Sequence, residues 1–130
     1  MSSVFTKIIA GDLPGTFIHR DEHAVAIMTI NPINTGHVLV IPRVEVDRWT
    51  DLPVDATSHL FALAHRIGNA QIRAFGCQRS ALIIAGFEVP HVHLHVIPAD
   101  SLAHVSFENA ARHVDPEDLA HAAERIIAQL

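Results

Sequence analysis

The chain has 130 residues, a net charge of −5 with histidine counted as neutral, and a hydrophobic content of 49%. This length predicts one domain with its own core, and the shortage of basic residues argues against a nucleic-acid groove, which needs a positively charged surface. Its single cysteine, Cys77, excludes an intrachain disulfide and a multi-cysteine zinc cluster. The sequence also shows no apolar leader and no apolar run of membrane-spanning length, so we expect a cytoplasmic protein with no membrane partner.

The elements predicted from the sequence are those of an α+β domain. Hydrophobic periodicity and turn residues indicate a short helix, three strands, a long helix, two further strands and a last helix. In that order they span residues 4–10, 16–20, 23–30, 37–42, 56–75, 80–85, 91–97 and 116–129. The first two strands flank the polar pair Asp21-Glu22, which predicts an antiparallel hairpin.

The ends and faces of the predicted helices follow from residues with clear preferences. Gly11 and Gly76 follow the first and the long helix, because glycine favours the left-handed conformation that ends a helix. Asp115 and Pro116 open the last helix at the positions where these residue types are favoured. The long helix carries an apolar stripe, which predicts packing on the sheet or across a subunit boundary: Leu60, Leu63, Ala64, Ile67 and Ala70. The high hydrophobic content leads us to expect a homo-oligomer.

Three histidines alternate with apolar residues in the segment His91-Val92-His93-Leu94-His95-Val96-Ile97. This alternation predicts a strand of about seven residues, between Pro90 and Pro98, with one imidazole face and one apolar face. Same-face residues lie roughly 6.5–7 Å apart on a strand, so the three rings would span about 13 Å. That spacing suits binding of an extended polyanion better than convergence of the three rings on one small site.

Imidazole chemistry makes these histidines candidates for phosphoryl or nucleotidyl transfer. A neutral imidazole is a nucleophile near pH 7, and His93, which has a histidine on either side, is the natural attacking residue. Its neighbours His91 and His95 would stabilise charge or orient the ring. His37 would complete the site from another strand, after a turn at residues 31–36.

The same histidines allow a second interpretation, which the residues alone leave open. Tetrahedral zinc could be bound by two of the three triad histidines together with His37, with one position left for water. Asp100 or Glu88 could add a carboxylate ligand to such a site. Spacing along the sequence does not distinguish the interpretation as a metal-binding protein from the interpretation as a phosphoryl-transfer enzyme.

The triad segment resembles the His-φ-His-φ-His-φ-φ signature of the histidine triad superfamily, where φ is an apolar residue. Residues 5–12 resemble the opening segment of that family and residues 36–42 resemble its other hallmark, so the similarity covers most of residues 4–98. It implies an α+β fold with a five-stranded antiparallel sheet, one long helix and two terminal helices, in a homodimer. Residues 1–130 would form a single histidine triad domain, with 99–130 as a C-terminal extension that ends in a helix.

The resemblance also implies a nucleotide hydrolase or nucleotidyl transferase without a cofactor, whose partner is a small nucleotide of the phosphoramidate or dinucleoside polyphosphate class. His93 would attack the α-phosphate, His95 would contact phosphate, and His91 would orient His93 partly through its backbone carbonyl, while His37 supports the triad. Because His95 stands where the transferase branch carries glutamine, the hydrolase branches are favoured. The expected nucleotide-binding residues are Ile27, Thr29, Ile30, Gly86 and Glu88. A nucleotide-binding protein with little turnover is the alternative.

Two of these positions depart from the family pattern. Thr29 stands where many members carry an aspartate for the ribose hydroxyls, and a neutral hydroxyl cannot accept two hydrogen bonds from ribose as a carboxylate can. Glu88 lies near the usual hydroxyl residue, and its carboxylate would repel a phosphate unless an imidazolium pairs with it. We therefore expect phosphate recognition to be better preserved than nucleoside recognition.

Overall fold

The structure is a computed structural model that describes residues 2–130. Its strands form one antiparallel sheet in the order β1-β2-β3-β5-β4. The elements are helices α1 (Val4–Ala10), α2 (Val54–Phe75) and α3 (Pro116–Ile127), and strands β1 (Phe17–Arg20), β2 (Ala24–Met28), β3 (Val38–Pro42), β4 (Arg79–Ile83) and β5 (Leu94–Ala99). The predicted α+β fold with a five-stranded antiparallel sheet and three helices is confirmed.

The two faces of the sheet are covered by different elements. Helices α2 and α3 pack on one face, and the predicted stripe of α2 is buried there together with Leu119 and Ile126 of α3. A partner subunit is therefore not needed to cover that stripe. The opposite face, which we call the triad face, carries Ile27, Leu39 and the side chain of His95, because these residues pair directly across β2, β3 and β5.

The start of β3 depends on a glycine and a buried glutamine. Gly36 has a φ of 91°, and a Cβ there would collide with the ring of Phe75, so only glycine fits. Gln71 of α2 is fully buried, and its Nε2 donates to the carbonyl oxygens of Gly36 at 2.9 Å and Val96 at 2.8 Å. The hydroxyl of Ser80 donates to the Gln71 Oε1 at 2.8 Å. These bonds tie α2 to the start of β3, to β4 and to β5.

Strand β5 does not have the predicted boundaries. The alternation predicted residues 91–97, whereas the observed strand is Leu94–Ala99 and includes Pro98. Only the first three residues of β5 pair with β3, so Pro98 lies beyond that ladder and needs no donor toward β3. The first two histidines of the triad precede the strand, where the backbone N–H of Val92 donates to the carbonyl of Val46 at 2.8 Å. The predicted seven-residue strand between two prolines is therefore wrong.

The remaining ends lie close to the predicted ones. Gly11 and Gly76 have φ values of 87° and 65°, which confirms both left-handed helix ends. Asp115 precedes Pro116 at the start of α3 as predicted, although its side chain makes no capping hydrogen bond. Helix α2 begins at Val54, before the predicted start. Within residues 2–130, no helix is long and apolar enough to cross a membrane.

Candidate active site

The three histidines of the triad differ in their exposure and in their partners. His91 is fully buried and His93 is 6% exposed, while His95 is half-buried. The sequence predicted a row of imidazoles along one strand, with His93 projecting away from the core. Because the first two histidines precede β5 and are covered by α1, only part of this row is open to a ligand.

The ring of His93 is held by the backbone of the triad itself. Its Nδ1 lies 2.7 Å from the carbonyl oxygen of His91. Since a carbonyl oxygen only accepts, Nδ1 carries the proton and Nε2 carries the lone pair. The ring of Phe5 packs edge-on against His93, with 4.8 Å between ring centroids. The site therefore presents a nitrogen lone pair on a ring fixed at its other nitrogen.

His95 is fixed with the opposite nitrogen protonated. The backbone N–H of Ile33 donates to the Nδ1 of His37 at 3.0 Å, so the proton of His37 is on Nε2. That Nε2 lies 2.9 Å from the Nδ1 of His95 and donates to it. The proton of His95 is therefore on its own Nε2, and this N–H is a donor for an anion. His37, predicted to complete the site, acts through this contact.

Burial keeps these imidazoles in the neutral form, with one ring proton each, at neutral pH. It lowers the pKa of His37 to about 3 and that of His95 to about 4, helped by the neighbouring imidazoles His95 and His93 respectively. Burial also lowers the pKa of His93, against the opposing effects of its bond to the His91 carbonyl and of the Glu88 carboxylate. A neutral His93 has the lone pair that nucleophilic attack requires.

A groove of about 590 Å³ opens beside His93. Its lining includes Gly86, whose φ of 85° favours glycine, and two exposed aromatic residues, Trp49 and Phe87. The complete lining consists of Asp47, Arg48, Trp49, Thr50, Ile84, Ala85, Gly86, Phe87, Pro90, Val92 and His93. The groove has the size of a small-molecule site and reaches the candidate nucleophile.

The predicted nucleotide-binding residues fall into two groups. Gly86 and Glu88 lie in the loop between β4 and the triad, and Glu88 is exposed. Ile27 is only 4% exposed within the cluster under α1, whereas Ile30 is 70% exposed. Thr29 is half-buried beside the candidate site, because its backbone N–H donates to the carbonyl of His37 at 3.3 Å. Its hydroxyl accepts a hydrogen bond from the N–H of Asn31 at 3.2 Å.

Two further residues contact the triad and were not predicted as site residues. Phe107, from the segment after β5, packs edge-on against His95 with 4.9 Å between ring centroids. Ser3, just before α1, places its hydroxyl oxygen 2.6 Å from the Nδ1 of His91. A serine three residues before Thr6 is a helix-cap pattern, so the sequence does signal a local role for Ser3. An aromatic residue in a polar segment gives no comparable signal for Phe107.

The donor set of this chain does not fit the metal-binding interpretation. Across residues 2–130, no group of three or more His, Cys, Asp or Glu side chains is arranged to hold a metal ion. His91 has both ring nitrogens engaged, by Ser3 and by the carbonyl of Pro42 at 2.7 Å. His37 and His95 bond directly to each other. The ligand sets considered from the sequence are therefore not assembled.

Comparisons with known proteins identify the family of this chain. The HIT domain model matches residues 10–102 of the chain. An uncharacterized HIT-like protein of Methanocaldococcus jannaschii is 33% identical over 100 residues, which are 73% of this chain and 77% of that protein. An adenosine 5′-monophosphoramidase of Saccharomyces cerevisiae is 29% identical over 96 residues, 73% of this chain and 61% of the enzyme.

The fold is also found among solved structures. A zinc-bound histidine triad family protein from Mycobacterium smegmatis superimposes with a TM-score of 0.83 at 30% identity. The match covers 99% of this chain and 93% of that protein. Because the HIT domain model matches residues 10–102, which are most of its length, the chain belongs to the HIT domain family.

Proposed function

We propose that this protein is a nucleotide hydrolase or nucleotidyl transferase that forms a covalent nucleotidyl-histidine at His93. The observation that carries the proposal is the 2.7 Å bond from the Nδ1–H of His93 to the His91 carbonyl, which leaves Nε2 as a lone-pair nucleophile. The relationship to an adenosine 5′-monophosphoramidase supports an adenosine phosphoramidate as substrate, and the family resemblance keeps dinucleoside polyphosphates as the second substrate class.

In the first step, the Nε2 of His93 forms a bond to the α-phosphorus, and the bond from phosphorus to the leaving group breaks. The leaving group departs with that electron pair and takes up a proton from water. The substituted ring becomes a cation, and the His91 carbonyl stabilises it through the Nδ1–H. His95 donates its Nε2–H to a non-bridging phosphate oxygen, where negative charge is concentrated.

In the second step, water attacks the same phosphorus and the bond to Nε2 breaks. The electron pair returns to Nε2, and the proton lost by the water is released to solvent. The products are a nucleoside monophosphate and the regenerated neutral His93. Transfer to another acceptor would differ in the attacking nucleophile, so the same first step at His93 serves a hydrolase or a transferase.

We propose that nucleotide recognition is divided between the two groups of predicted binding residues. In this proposal the exposed Ile30 and the half-buried Thr29, which bonds to the backbone of His37, contact the nucleoside, and the buried Ile27 supports them. Gly86, whose φ of 85° favours glycine, lines the groove in which phosphate oxygens or the leaving group would lie. Glu88 repels phosphate there unless a cation pairs with it.

We also propose that the protein is a cytoplasmic homodimer formed at the free edge of β4. On α2, Phe61 and Ile72 lie on the same face as Gly68. This face lies close to β4, because a Cβ at Gly68 would be only 2.9 Å from the Ser80 hydroxyl. Phe61, Ile72 and the neighbouring Leu82 of β4 are 41%, 39% and 42% exposed. An unpaired strand edge beside apolar residues favours association. Within residues 2–130 the one cysteine is a free thiol, which suits a reducing compartment.

Steady-state turnover tests the proposed function. Wild-type protein should hydrolyse adenosine 5′-phosphoramidate or diadenosine triphosphate to AMP, measured by chromatography. His93→Gln should lose turnover while its far-UV circular dichroism stays native. The matched control is His65→Gln on the exposed face of α2, which should retain the wild-type rate. A His93→Gln rate above about a tenth of wild type would overturn the covalent mechanism.

A further inference from the structure

The buried ring of His91 is held in place by a residue from outside the sheet. Its Nε2 donates to the carbonyl oxygen of Pro42 at 2.7 Å, because a carbonyl can only accept. In the neutral ring, Nδ1 is then an acceptor, and the hydroxyl of Ser3 donates to it at 2.6 Å. His91 is fully buried, so its Nδ1 needs a hydrogen-bond partner, and the Ser3 hydroxyl supplies the donor. Within residues 2–130, Ser3 thus provides the one side-chain hydrogen bond of this ring.

Ser3 is itself fixed from two directions. Its backbone N–H donates to Oε1 of Glu45 at 2.6 Å, and the hydroxyl of Thr6 donates to the same oxygen at 2.7 Å. The hydroxyl oxygen of Ser3 also accepts from the N–H of Thr6 at 3.1 Å, which caps α1. These hydrogen bonds pull the pKa of Glu45 down to about 2, so it is a carboxylate at any physiological pH. We call Ser3, Thr6 and Glu45 the N-terminal clasp.

The clasp reaches the candidate nucleophile through two contacts. The first runs through the His91 backbone, whose carbonyl oxygen accepts the Nδ1–H of His93 at 2.7 Å. The second runs through Phe5, which lies inside the clasp and packs on the rings of His91 and His93 at centroid distances of 5.8 and 4.8 Å. A shift of the His91 ring therefore moves both the carbonyl that sets the tautomer of His93 and the aromatic wall beside it.

We propose that Ser3, held by the Glu45 carboxylate, is a positioning residue that keeps the Nε2 of His93 as the free lone pair. This inference rests on the proposed function for its kinetic consequence. Its structural consequence, the tautomer of His93, does not depend on that function. Ser3 and Thr6 precede residues 10–102, which match the family domain, whereas Glu45 and His91 lie within that match.

Ser3→Gly tests the proposal with the least damage to the helix, because glycine is also tolerated at a helix N-cap. Two-bond 1H–15N correlation spectra of the free protein report which nitrogen of each imidazole is protonated. In wild type, His93 should appear as the Nδ1–H form and His91 as the Nε2–H form. In Ser3→Gly the His93 signals should shift toward a mixture of tautomers, and Ser3→Thr should restore them. Ser2→Ala, a change at the exposed neighbour, is the matched control.

Turnover is measured on the same variants with adenosine 5′-phosphoramidate. Ser3→Gly should lower kcat on the order of tenfold to a hundredfold with little change in KM, since a misplaced nucleophile affects the chemical step. Glu45→Gln should also lower kcat, but by less than Ser3→Gly, because the amide oxygen of glutamine still accepts hydrogen bonds from Ser3 and Thr6. If the ring nitrogen signals of His93 are the same in Ser3→Gly as in Ser2→Ala, the proposal is overturned. A wild-type protein without turnover would instead remove the proposed function, and the spectra alone would decide the role of Ser3.

Discussion

Buried neutral His37 predicts a loss of stability on mild acidification. Burial and the neighbouring imidazole of His95 lower the pKa of His37 from 6.5 to about 3. Below pH 6.5 the unfolded chain therefore binds a proton that the native protein does not bind. The contribution of neutral His37 to the free energy of unfolding is complete above pH 6.5 and is lost as the pH falls toward the pKa of His37 in the native protein.

The magnitude follows from the width of this window. Each pH unit below the unfolded pKa costs about 1.4 kcal/mol, so between pH 7.5 and pH 5 His37 alone should lower the free energy of unfolding by about 2 kcal/mol. His95, whose pKa is lowered to about 4 by burial and by His93, adds a contribution of the same sign. Carboxylates titrate mostly below this window, so the histidines dominate it.

Urea unfolding at pH 7.5 and pH 5 measures the effect in wild type, His37→Gln and the exposed-site control His121→Gln. A glutamine side chain offers both a donor and an acceptor but does not titrate. The variant should be less stable at pH 7.5, yet its loss between the two pH values should be smaller than that of wild type by about 2 kcal/mol. An equal pH dependence in wild type and His37→Gln would refute the neutral, buried state of His37.

Three further predictions concern the core, the dimer and the sugar. Gln71→Leu should lower the free energy of unfolding in urea by about 2–4 kcal/mol, because two buried carbonyl oxygens lose their donor. Equilibrium sedimentation at micromolar concentration should give twice the chain mass for wild type and a monomer for Leu82→Glu; a wild-type monomer would contradict the proposed interface. Thr29→Asp should favour ribonucleotide over deoxyribonucleotide binding by about 1–3 kcal/mol in calorimetric titrations, in the wild-type or the Glu88→Ser background. An unchanged preference in both backgrounds would show that Thr29 does not face the sugar.

Local physical rules explain which parts of the fold the sequence predicted. The helix ends at Gly11 and Gly76 depend on the left-handed conformation, which is a property of one residue and its neighbours. The triad segment stood out because period-two alternation of unlike residues is a local pattern. Its boundaries were wrong because Val92 bonds to a loop before the strand begins and because pairing with β4 continues to Ala99, and no pattern within the segment reports either contact.

Contacts between distant segments could not be predicted from residue patterns. Ser3 and His91 are separated by 88 positions, and a serine before a helix is sufficiently explained by capping. Gln71 follows Ile67 by four residues on the buried stripe of α2, but the polarity of glutamine favours exposure, and only the fold shows that the carbonyls of Gly36 and Val96 meet its amide there. The tautomers of the site likewise follow from backbone groups that only the folded chain brings to the rings.

Intact-protein mass spectrometry of the reacting enzyme tests the covalent mechanism most directly. Wild-type protein and His95→Ala are mixed with adenosine 5′-phosphoramidate and quenched within the first turnover, and peptide mapping then locates any added mass. We predict an adenylyl adduct on the peptide that contains His93, lost in His93→Gln and retained in the His65→Gln control. Turnover to AMP without an adduct at any time point, or an adduct that persists in His93→Gln, would contradict it.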